Sequence, residues 1–142
     1  MGCDIHLAIE YAAFTTKAGD PYWDGFGGGA FNPGRDYTMF GCLAGVRDGD
    51  QPHTPIRGYP ANLSYASQAA FFRVDPETGD VTHDSDLHSA TWLTREEYGA
   101  AYAQRMFDSQ YPPDTVYEVV LITMNALEER GLKTRLVFAF DN

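Results

Sequence analysis

The chain has 142 residues, a length suited to one domain with a hydrophobic core of its own, and its 44% apolar content argues against disorder. A formal net charge of −10, from 20 acidic and 10 basic residues, excludes long nucleic acids and anionic membrane surfaces as natural partners. It leaves room for a small anion held where basic residues converge, or for a divalent cation.

No apolar run approaches the length needed to cross a bilayer. No basic region followed by an apolar run opens the chain, so a signal peptide is not expected. His6 stands where a myristoylation motif requires Ser or Thr. The two cysteines, Cys3 and Cys42, read as free, buried thiols in a reducing cytoplasm.

In chain order, residues 2–14 alternate as a strand, with Cys3, Ile5, Leu7 and Ile9 facing a core. Asp4, His6, Ala8 and Glu10 share the other face. Residues 15–34 hold Gly25, Gly27, Gly28 and Gly29 and read as a flexible surface loop; no Walker or GxGxxG pattern accompanies them. Asp36 can cap a short helix that buries Tyr37, Phe40, Leu43 and Ala44 and ends at Asp48-Gly49-Asp50. Residues 49–68 are a proline- and glycine-punctuated connection without periodicity, and residues 69–83 read as a β-hairpin turning at 75–80.

The segment Asp84 to Ser89 is expected to be a loop. Thr94 to Glu97 forms a capping box that opens a helix to about Met106. Thr115 to Glu118 forms a second one, opening a helix that turns Val116, Val119, Val120, Met124 and Leu127 inward and ends at Gly131. Leu132 to Phe140 is an apolar strand for the sheet centre, beside the first strand. These elements make residues 1–142 a single α+β domain with a mixed or mostly antiparallel sheet, about three helices and a glycine-rich loop.

Three polar groups carry candidate chemistry. Asp4 and His6 are two apart on one strand face and can reach one ligand. Arg35, Arg47 and Arg57 follow, two of them beside glycines in loops where binding residues concentrate. Asp86, His88 and Ser89 form the third group. Two imidazoles and a guanidinium suit metal-free chemistry on a phosphodiester: His6 and His88 exchange protons while an arginine stabilises the developing charge. Asp4, Arg35, Tyr37, Arg47, Arg57, Ser89 and Trp92 are the ligand-binding candidates, the arginines for phosphate and the aromatics for a base. Asp4, His6, Asp86 and His88 are the alternative, a ligand set for a divalent metal. His53 and His83 read as solvated bystanders. Ion pairing of Arg35 with Asp36 and of Arg47 with Asp48 is the plain alternative for those arginines.

The opening Met1-Gly2-Cys3-Asp4-Ile5-His6 resembles the start of a family of uncharacterised proteins of bacteriophages and bacterial genomes. The resemblance continues through Arg35-Asp36-Tyr37 with Met39-Phe40, Leu43 to Arg47, Arg57-Gly58-Tyr59-Pro60 with Leu63-Ser64, His88-Ser89, Thr91 to Thr94, and Arg135 to Phe138 with Phe140-Asp141-Asn142. The resemblance implies that Asp4, His6, Arg35, Asp36, Arg47, Arg57, His88 and Ser89 belong to the family pattern. Ala90 departs from it, where relatives are expected to carry a second histidine; that loss weakens the metal alternative. Asp141 and Asn142 match the family ending, as a cap or as part of a site.

These readings lead to a phage-type protein of the bacterial host's cytoplasm. It would bind, and in one version cleave, a phosphate-bearing small molecule, with a nucleotide, such as a host immune signal, as the first candidate. Two other readings stay open: a metal-dependent hydrolase using Asp4, His6 and His88, and a non-catalytic accessory factor that works by protein contacts.

Overall fold

A computed structural model describes residues 2–47, 52 and 54–142. Its centre is a pair of long antiparallel strands, β1 (Asp4–Thr15) and β6 (Lys133–Asp141), in register from Asp4 opposite Asp141 to Ala12 opposite Lys133. Directly opposed residues of antiparallel strands share a face. Cys3, Ile5, Leu7 and Ile9 of the first strand therefore join Leu136, Phe138 and Phe140 in the main core, as the alternation predicts. The other face carries Asp4, His6, Ala8 and Glu10 with Asp141, Ala139, Val137 and Arg135.

Two strands complete a four-stranded sheet of order β2-β1-β6-β5, in which every pairing is antiparallel. Both lie where the sequence suggests loop. β2 (Pro21–Gly25) pairs with the far half of β1, and a bridge joins Leu7 to Phe31. Gly25 closes β2, and Gly27, Gly28 and Gly29 are confined to a short connection between two backbone pairings. β5 (His88–Leu93) pairs with β6, so His88 and Ser89 belong to a strand rather than to the loop expected there. Its polar opening, His-Ser, hides its strand character from a pattern reading.

The helices α1 (Tyr37–Ala44), α3 (Arg95–Asp108) and α4 (Thr115–Glu129) supply Phe40, Tyr98, Tyr117 and Met124 to the main core. Asp36 caps α1 as expected, accepting from the Met39 amide at 2.8 Å. The helix ends at Gly45, which adopts φ 67° and donates to Gly41; the Asp48-Gly49-Asp50 stop lies outside the described residues. Tyr37 is exposed, unlike the rest of the expected apolar face. The Thr94 capping box forms as read. In α4 the cap is Asp114, one residue ahead of the expected Thr115. Shifting the start does not rescue the inward list: Val116 and Val119 are exposed, while Tyr117, Val120 and Met124 are buried.

A fourth helix, α2 (Tyr65–Phe71), was not legible as a periodic segment. Ser64 caps it, accepting from the Ser67 amide. It absorbs Ala69, Ala70 and Phe71 from the expected hairpin, which is reduced to β3 (Phe72–Val74) and β4 (Val81–His83). Phe71 anchors a second apolar cluster, with Ala8, Val137 and Ala139, on the sheet face opposite the main core. No helix among the described residues is long and apolar enough to cross a membrane. Cys3 and Cys42 are both buried.

Candidate functional site

The pairing of β1 with β6 brings together the start of one strand and the end of the other. At that end of the sheet the polar residues gather. His6 directs Nε2 to the Asp141 carboxylate, 2.5 Å away, and both side chains are more than a third exposed. A carboxylate against one ring nitrogen fixes the ring and leaves the other nitrogen, Nδ1, for proton transfer. Asp4, opposite Asp141, takes a two-pronged ion pair from Arg35, with Nε at 2.7 Å and Nη2 at 3.1 Å. The Arg35 hydrogen bond holds the Asp4 carboxyl below its ordinary value of 3.8, and the same bond raises Arg35. Arg35 also feels the charge of Asp141, so the guanidinium sits within the field of both carboxylates.

The guanidinium lies against the backbone of Gly2. A Cβ there would fall 2.2 Å from Nη1. The absent side chain at position 2 is therefore what allows the Arg35 plane to rest on the start of β1.

On the other side of β6, the His88 ring contacts Asn142 through Nε2 and Oδ1, and Ser89 through Nδ1 and Oγ at 3.0 Å. His88 is in register with Phe140, and its ring stacks at 6.2 Å from that of Phe140. β1 and β5 both flank β6, so the backbones at His6 and His88 stand about 10 Å apart, two strand spacings of ~4.8 Å. The histidines are near one another, as a shared site requires. They do not share a face: the register break between His88 and Thr91 aligns His88 with the core-side residue Phe140. Successive residues Asp141 and Asn142 each hold one imidazole.

The three arginines do not form one clamp. Arg35 engages Asp4 rather than Asp36. Arg47 stands over the Tyr37 ring, 5.7 Å from its centre, and the Tyr37 hydroxyl accepts from the Cys3 amide at 3.2 Å. That contact ties Arg47 to the same end of the sheet. Arg57 is elsewhere. It stacks on Trp92 at 4.3 Å and forms a paired bond to Glu97. Trp92 lies four residues along β5 from His88, about 13 Å at ~3.3 Å per residue. Burial alone would raise the Glu97 carboxyl, yet the bonds from Arg57 and Thr94 together keep it lowered. Arg57 and Trp92 therefore brace the start of α3.

The four metal candidates are not assembled either. Among the described residues no group of three or more His, Cys, Asp or Glu side chains is placed to hold a metal ion. Asp4 is committed to Arg35, and the Asp86 amide is tied into a turn by the Asp84 carboxylate. His83 lies exposed on the hairpin, and His53 lies outside the described residues.

Two charged networks escaped the sequence reading. Glu10, fully buried, receives Arg135 Nε at 2.6 Å and the Ser64 amide at 2.7 Å. Arg135 also donates to the carbonyls of Ala61 and Asn62 and lies 4.0 Å from the Trp23 ring centre. Asp36 receives buried Arg105 at 2.9 Å on each oxygen while capping α1. The available signal was positional: Glu10 and Arg135 are charges in otherwise apolar strands, on matching register. Two grooves of about 330 and 310 Å³ border Trp23, and neither includes His6 or His88. The sheet-end cluster is an open surface site and owes its candidacy to its chemistry. Family models, curated proteins and solved structures yield no match to this chain.

Proposed function

We propose that the end of the sheet binds a phosphate-bearing small molecule, a nucleotide in the first instance, and that its imidazoles carry out acid–base cleavage of a phosphate ester there. The observation that carries this reading is the pair of oriented imidazoles on either side of the β6 terminus, His6 held by Asp141 and His88 by Asn142. Each oriented ring can take up a proton and return it. Arg35 supplies planar, permanently charged donors at the same end, two of them already paired with Asp4. The resemblance to phage proteins makes a host immune-signal nucleotide the first ligand to assay, in a bacterial cytoplasm.

Calorimetric titration against cyclic and linear nucleotides, with chromatography of the products, tests the reading. One ligand class should bind, and Arg35→Lys should weaken it about tenfold by losing the paired contact. His6→Gln and His88→Gln should retain binding and lose turnover. No binding by any member of the panel, or affinity unchanged in Arg35→Lys, overturns it.

A second reading, a factor that works by protein contacts, draws on a separate observation. Val116 and Val119 of α4 line an apolar groove of about 190 Å³ with Phe26 and Phe31. Val119→Asp separates the two, because it leaves nucleotide affinity unchanged under the first reading and abolishes partner binding under the second.

A further inference from the structure

We infer that Ser89 is a nucleophile toward phosphate esters, activated by His88 and oriented through that ring by Asn142. In a regular strand, neighbouring side chains point to opposite faces and cannot bond to each other. His88 and Ser89 are neighbours in β5, yet Ser89 Oγ lies 3.0 Å from His88 Nδ1. The cause is local. Ser89 has φ 54°, a left-handed conformation that costs a non-glycine residue free energy, and the register of β5 on β6 breaks between His88 and Thr91. The bulge swings the hydroxyl onto the imidazole.

The far side of the ring sets the proton. Asn142 Oδ1 is an acceptor, so it is matched by a hydrogen on Nε2. Nδ1 then carries a lone pair and accepts from the Ser89 hydroxyl. A serine donating to an imidazole whose other nitrogen is held by a third group has the arrangement of an activated nucleophile. His88 is exposed and Ser89 part-exposed, so a substrate can reach both.

The reaction follows from that hydrogen bond. Ser89 Oγ forms a bond to phosphorus as its proton moves to His88 Nδ1. The bond from phosphorus to the departing alkoxide breaks, and the alkoxide takes that proton. Water then attacks the phosphoserine, gives a proton to Nδ1, and the bond to Oγ breaks as the proton returns to Ser89. Water is the only co-reactant.

The substrate class rests on the nucleotide reading above; the reactivity of Ser89 does not. An alkyl fluorophosphonate tests the hydroxyl directly, with intact mass and peptide mapping as the readout. Wild-type protein should gain one adduct, with loss of fluoride, on Ser89. Ser89→Ala should gain none, and His88→Gln should label at least tenfold more slowly. Ser89→Gly, which suits the positive φ, should also resist labelling and keep its melting temperature, which separates chemistry from folding. Absence of an adduct on wild-type Ser89, or equal labelling of His88→Gln, overturns the proposal. Labelling without nucleotide binding would sink only the ligand class, and nucleotide binding without labelling would sink only the nucleophile.

Discussion

Gly2 governs where Arg35 can lie. The group that a new Cβ would strike is the end of a flexible side chain, so Gly2→Ala should displace the guanidinium without unfolding the protein. Nucleotide affinity should fall in titration calorimetry while the melting temperature holds; affinity equal to wild type would show that the position of Arg35 is immaterial. Asp4 gives the same contact a signature in pH. Its carboxyl is depressed in the folded chain, so the stabilisation it contributes is present above the ordinary value of 3.8. That contribution is lost as pH falls through the lower, folded value. Side-chain NMR titration should place the Asp4 midpoint below 3.8, and Arg35→Met should return it toward 3.8. A wild-type midpoint at or above the ordinary value would contradict the ion pair.

Elements are joined by carboxylates that serve two partners. Asp36 caps α1 through the Met39 amide and receives Arg105 of α3, both ends of the pair being buried. Arg105 continues to the Tyr111 carbonyl beyond its own helix. Asp36→Ala removes a cap, about 1 kcal/mol, and strands a buried charge, about 3–5 kcal/mol. Asp36→Asn keeps the capping oxygen and loses only the charge. Urea unfolding should therefore rank wild type above Asp36→Asn above Asp36→Ala, and equal midpoints for the two variants would remove the cap from the account. The half of this that concerns the cap was readable in Asp36-Tyr37, because capping is local. The half that concerns Arg105 was not, since 69 residues separate the partners. The same division runs through the fold. β1 announces itself by alternation, β6 by its apolar run, and α1 and α3 by their caps. β2 and β5 are short or polar at their ends and owe their existence to the neighbours they pair with, which periodicity cannot express. At the candidate site, Asp4, His6 and His88 were visible as residue types. Asp141 and Asn142 stood out only as the chain's polar ending; that each holds one imidazole, His6 and His88, emerges from the β1–β6 and β5–β6 registers.

Charge belongs to the whole molecule. Arg35, Arg57, Arg73, Arg95, Arg105 and Arg135 are each engaged by a carboxylate. With 20 acidic residues against 10 basic ones, those pairs leave an acidic surplus, and the net charge of −10 repels itself. Two of the pairs, Glu10–Arg135 and Asp36–Arg105, are buried and little screened, so added salt acts mainly on the surplus at the surface. Raising sodium chloride from about 10 mM to about 150 mM shortens the screening length from roughly 30 Å to roughly 8 Å. The melting temperature should therefore rise by a few degrees at neutral pH, as weaker repulsion relaxes the compact state. Binding of a phosphate-bearing ligand should respond the other way. Its local attraction to Arg35 is at the surface and is screened by the same ions, so affinity should fall as stability climbs. Scanning calorimetry and titration calorimetry across one salt series read both trends. A melting temperature that falls with salt would mean that the exposed pairs, and not the acidic surplus, dominate the surface electrostatics.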